Sequence, residues 1–140
     1  MTSPDQSRSS GRFTAGLTPR QTLTLLTCGA VLWLAAALLL GVLGPMGAYN
    51  GVGRIVLYGL IIPGTAPFVW ALGRLAMLRS DQIATGMAMA LTPAVLLDGV
   101  ALAWIPEIYG SSASLQAGAG GAILWGAGVL LALGFLFNRP

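Results

Sequence analysis

An all-α, four-helix transmembrane bundle is the fold this sequence predicts, and three observations predict it. Hydrophobic residues make up 56% of the 140-residue chain and charged residues 8%, against about 25% charged in an ordinary soluble domain. The apolar residues gather into four runs of membrane-crossing length, at about 23–43, 55–72, 83–105 and 117–137. All seven arginines fall outside those runs.

Residues 1–20 are rich in Ser, Thr, Gly and Arg without hydrophobic periodicity, and read as a disordered cytoplasmic tail ending near Thr18-Pro19-Arg20. The membrane domain is expected over 21–140. Its first run is longer than the about 7–15 apolar residues of a secretory signal, and three more runs follow it, so it reads as a retained span. The second run closes at Gly73-Arg74 and Arg79, and carries Pro63 and Pro67 midway. The third and fourth runs are separated by Pro106 to Gln116. Short connections join antiparallel neighbours, which predicts an up-down-up-down order.

Arginine placement predicts the orientation. Arg8, Arg12, Arg20, Arg74, Arg79 and Arg139 share one side under this order, and Arg54 alone falls on the other. The positive-inside rule then places both termini in the cytoplasm, with an inner (plasma) membrane as the expected location. Trp70 and Trp104, near run ends, read as interface anchors, while Trp33 and Trp125 lie deeper and are expected to pack in the bundle or against lipid.

Composition excludes several function classes. The pI near 9.8 comes from arginines scattered singly between apolar runs, which does not make a nucleic-acid face. The chain has no histidine and one cysteine, Cys28, so neither an internal disulfide nor a Cys/His metal site can form. No lysine or histidine stands beside a nucleophile, and the glycines of 44–53 lack the Gly-Lys-Ser/Thr ending of a phosphate loop. A non-enzymatic protein without cofactor or metal is expected, with the lipid bilayer as its first partner.

Asp98 is the one ionisable residue well inside a run. An acid at such depth costs several kcal/mol unless partners or water receive it. Gly86, Ala90, Ala94 and Asp98 follow one another at i, i+4 spacing, and small residues on that stripe let a second helix approach, turning the carboxyl into the bundle. Arg54 or Thr65 are the candidate partners for a structural pairing; the functional alternative is a proton or cation relay, or a site for a cationic substrate. Pro63 and Pro67 leave the carbonyls of Gly59 and Pro63 without donors, so a bend or local unwinding of the second span is expected. A further bend at Pro93, facing the first, would leave a small polar cavity at mid-membrane, and Asp98, Arg54, Pro63, Thr65 and Pro67 are the candidate substrate- or ion-binding residues. Glu107, nine residues beyond Asp98, would lie about 13 Å away on a continued helix, too far for paired acid–base work unless Pro106 turns the chain back.

Gly118, Ala122 and Gly126 form a second small-residue stripe, on the fourth run. Such stripes pack helices within one bundle or against a second copy or another membrane protein. The segment Thr92-Pro93-Ala94-Val95-Leu96-Leu97-Asp98-Gly99, followed by Trp104-Ile105-Pro106-Glu107-Ile108-Tyr109, resembles the third-span signature of a family of small bacterial four-span membrane proteins of unknown function, with a Pro-x-x-Leu-Leu-Asp-like motif. The resemblance implies the architecture and singles out Asp98; it implies no substrate. Small four-span multidrug exporters depend on a glutamate in the first span, and 23–43 holds no acid. The sequence therefore leads to a small multi-pass protein that binds or moves a small solute or ion near Asp98. The alternative is a non-catalytic subunit or assembly protein held through its glycine faces.

Overall fold

The computed structural model describes residues 16–139, and the expectation for most of the tail lies outside them. Four long helices make up the fold: α1 (Pro19–Leu43), α2 (Gly51–Leu75), α3 (Ile83–Trp104) and α4 (Ala113–Phe137). Each is long and apolar enough to cross a membrane. At 1.5 Å per residue the 25-residue helices extend about 37 Å, beyond the about 30 Å hydrocarbon core.

The helix ends follow from local chemistry. Thr18 opens α1 with a capping box: its hydroxyl accepts from the Gln21 amide at 3.3 Å, and the Gln21 side chain accepts from the Thr18 amide at 2.8 Å. Pro19 takes the first helical position, where its missing N–H costs nothing. Order thus begins inside the segment read as tail, and Leu17 is buried. At its other end α1 runs into a π-helical turn, Gly44–Ala48, broken where Gly47 adopts φ of 88°. Ile105 precedes a proline and leaves the helical region, ending α3. A 3-10 turn, Pro106–Tyr109, follows. Ser112 caps α4 by accepting from the Leu115 amide at 3.3 Å.

The packing order differs from the chain order. α1 lies along α3, α3 along α4, and α4 along α2, but α1 and α2 barely touch. Consecutive helices still alternate in direction, so α1 and α3 run parallel, as do α2 and α4. The expectation that short connections pair neighbours fails for α1 and α2 and for α2 and α3, and holds for α3 and α4. For α1 the reason is the closer seat that α3 and the turn after it offer: a methyl on Gly29 would overlap the Ala90 carbonyl oxygen, and one on Gly41 would sit 2.5 Å from the Ile108 carbonyl oxygen of the 3-10 turn. Backbone-to-backbone approach of this kind brings many atoms of α1 into dispersion contact with α3.

Two apolar clusters result. One, near the described chain ends, gathers Leu25, Val69, Leu72, Met87 and Ala90. The other, at the opposite end, gathers Ala37, Leu40, Ala101, Ala119 and Ala122 with Tyr49 and Tyr109. Both described ends of the chain meet at the first cluster's end. There the Gln82 side chain donates to the Gly16 carbonyl at 2.6 Å, and the Arg139 amide donates to the Ser80 carbonyl at 3.0 Å.

Candidate functional site

Between the two clusters the open seam of α1 and α2 leads into a cleft of about 280 Å³. Its walls are almost wholly apolar, with side chains from all four helices, and Asp98 and Thr65 are its principal polar members. Ala36, Leu39, Phe68 and Val95 on its rim are exposed, so the cleft opens sideways rather than along the bundle axis. The polar cavity expected from the sequence is therefore a greasy one with a single acid in its wall.

Asp98 is held by two donors. The Trp33 indole N–H donates to Oδ1 at 2.9 Å, and the Tyr109 hydroxyl donates to the same oxygen in a short hydrogen bond. Oδ2 has no partner among the described residues. Trp33 reaches Asp98 because α1 and α3 are parallel: it lies fourteen residues beyond Pro19, and Asp98 fifteen beyond Ile83. Tyr109 reaches it because Pro106 ends the helix and the 3-10 turn folds the chain back over the end of α3. That return brings the fully buried Tyr109 to the carboxyl and leaves Glu107 exposed. Burial pushes the Tyr109 phenol well above its ordinary range, and the hydrogen bond to Asp98 adds to the rise. An aspartate at mid-bilayer costs about 2.5–3.5 kcal/mol on insertion scales. Hydrogen bonds inside a membrane protein contribute about 0.6–2 kcal/mol each, so the two donors offset a large part of that cost.

The other sequence candidates fall elsewhere. Arg54 is exposed at the start of α2 and makes no ion pair; among the described residues the one salt bridge is Arg79 to Asp81, at 2.6 Å. Trp33 and Tyr109, rather than Arg54, hold Oδ1 of Asp98, and their neutral donors lose less hydration on entering an apolar wall than a guanidinium would. Thr65 does line the cleft, but its hydroxyl donates to the Ile61 carbonyl of its own helix at 2.6 Å. Pro63 and Pro67 are exposed on the outer side of α2, which continues as one α-helix through both, without the expected unwinding. They do not line the cleft.

The small-residue stripes are used within the chain. Ala90 is buried under α1, Gly86 is filled by Leu78, and Ala94 faces the cleft. On α4, Gly118 takes the Tyr49 ring, Ala122 is buried, and Gly126 opens onto the cleft beside Ile61. Tyr49 in turn donates to the Leu40 carbonyl at 2.7 Å, which pins the π-helical turn to α1. Trp125 stacks on Tyr58 with ring centroids 5.5 Å apart and donates to the Tyr58 carbonyl at 3.0 Å. Trp70 and Trp104 are exposed near helix ends.

Sequence reasoning missed the Trp33–Asp98–Tyr109 cluster, although Trp33 and Asp98 have matching depth once helix direction is assumed. Comparison adds no further residue: no protein-family model, characterised protein or solved structure matches the chain.

Proposed function

We propose that this chain is a small, non-enzymatic multi-pass protein of the bacterial inner membrane. It binds a small apolar solute carrying one positive charge or hydrogen-bond donor, taken up sideways from the bilayer. The observation that carries this reading is the unpartnered Oδ2 of Asp98 in the wall of a laterally open apolar cleft. An apolar cleft with one oriented polar group is the usual form of a small-molecule site, and at about 280 Å³ this one falls just below the about 300–1,000 Å³ range, a size for a small ligand. Trp33 and Tyr109 hold one carboxyl oxygen and leave the other for a ligand's ammonium or hydroxyl. Both termini are cytoplasmic in this reading, following the arginine asymmetry.

The test compares a primary alkylamine of about ten carbons, near the cleft's capacity, with the alcohol of equal length. Binding to protein in nanodiscs is followed by Trp fluorescence. The amine is expected to bind more tightly than the alcohol, and Asp98→Asn to remove that difference while Ala94→Phe removes binding of both. Equal binding of the amine to wild type and Asp98→Asn would overturn the reading.

A second reading, a non-catalytic subunit, is favoured by Gly59, Gly64 and Gly128, where an added methyl would meet open space. A second copy or another membrane protein would then lie against the exposed α2 and α4 faces. Gly64→Leu and Gly128→Leu are expected to break such an assembly in nanodiscs; a monomeric wild type together with no membrane protein recovered with it from crosslinked membranes removes this reading.

A further inference from the structure

A second cleft, of about 400 Å³, lies at the end of the bundle where α2 stops, α3 begins and α4 ends. It shares no residue with the cleft around Asp98. Arg74 and Arg139 stand in its wall with Trp70 and Ser80, and Val69, Ile83 and Phe137 make its apolar part. The Arg74 guanidinium lies over the Trp70 ring, 5.1 Å from its centroid. This contact orients the charge without using up its N–H donors. Arg139 is fixed from its backbone: its amide donates to the Ser80 carbonyl at 3.0 Å, and the preceding Asn138 side chain accepts from the Ala84 amide at 3.1 Å. The nearest acid in sequence, Asp81, is engaged by Arg79. Among the described residues neither Arg74 nor Arg139 has a carboxylate partner.

We infer that this cleft binds the phosphate diester of an anionic phospholipid headgroup. Arg74 on α2 and Arg139 just beyond α4 both stand in the cleft wall, and guanidinium groups bind phosphate oxygens through paired N–H donors. The apolar wall runs from the arginines along α2 through Gly73, Val69 and Ala66, with Phe137 at the end of α4 beside it, and an acyl chain attached to that phosphate would lie there. Exposed Trp70 marks the level of the membrane surface, so phosphate and chain meet the protein at their natural depths. A bound lipid would link the end of α4 to α2 across the cleft.

The experiment uses the full chain in nanodiscs of equal phosphatidylglycerol and phosphatidylcholine, with lipids that stay bound counted by native mass spectrometry. Wild type is expected to retain phosphatidylglycerol preferentially. Arg74→Gln with Arg139→Gln together should lower that preference at least about tenfold. Arg20→Gln at the same end and Arg54→Gln at the other should leave it unchanged. Circular dichroism of the double variant checks that the helices persist, and wild type in pure phosphatidylcholine nanodiscs should melt at a lower temperature than in the mixture. Equal loss from Arg20→Gln would show diffuse surface attraction and overturn the site, as would absence of any preference in wild type. Displacement of the retained lipid by free glycerol phosphate at equal concentration would show that the headgroup suffices, and would overturn the assignment to a membrane lipid.

Discussion

Asp98 owes its place to two side chains that share one of its oxygens. Tyr109→Phe removes a buried hydroxyl donor and is expected to lower stability by about 1–2 kcal/mol, read as a drop in melting temperature in detergent; Trp33→Phe should act in the same direction. No change in either would mean that the pair does not hold the carboxyl. The tyrosines also set an alkaline limit. Burial pushes the phenols of Tyr49 and Tyr109 above their ordinary value of 10.0, so the folded protein favours the neutral form. That contribution is complete below pH 10 and declines as pH rises beyond it toward the folded values. Melting temperature should hold steady from pH 8 to about 9.5 and then fall, less steeply in Tyr109→Phe; equal slopes in both proteins would refute the assignment. Glycine matters at Gly29 for a different reason. Gly29→Ala places a methyl onto the Ala90 carbonyl oxygen and should cost about 1–3 kcal/mol through forced separation of α1 from α3. Gly128→Ala, into open space, should leave stability unchanged or raise it by up to about 1 kcal/mol.

At the scale of the helices, α2 tolerates two prolines because both rings lie on its outer side, where no neighbouring helix has to fit them. Its inner face, with Leu57, Ile61, Thr65 and Phe68, forms one wall of the cleft. Pro63→Ala is therefore expected to leave amine binding unaltered, measured by the same fluorescence titration. A loss of binding would show that the outer face transmits its shape to the cleft. Thr65→Val should also have little effect on binding, because the hydroxyl is already committed to the Ile61 carbonyl.

For the whole molecule, the decisive feature is an incomplete ring. Three of the four helix–helix seams are packed and the α1–α2 seam is not. In water such a slot would collapse, since exposing its apolar walls is unfavourable; in lipid, acyl chains can fill it at little cost. Orientation is a property at this scale too. In a Cys28→Ser background, Ser111→Cys should react with a membrane-impermeant maleimide on intact cells, and Met77→Cys should react only after lysis. The reverse pattern would invert the topology.

The sequence by itself determined four apolar helices, their approximate limits, their alternation and the isolation of Asp98. Those properties are written in run length, local capping and composition, which act over a few residues along the chain. The 16–20 segment escaped because a capping box at Thr18 and Gln21 lies in an otherwise polar stretch. Tertiary structure alone decided that α1 would lie against α3, that Trp33 and Tyr109 rather than Arg54 would meet Asp98, and that the cleft would be apolar. Helix pairing in a membrane depends on how closely two backbones fit at sites such as Gly29 against Ala90. Every span is apolar on all sides, so no stripe of hydrophobic residues announces which face is turned inward. That choice is made only when the surfaces meet.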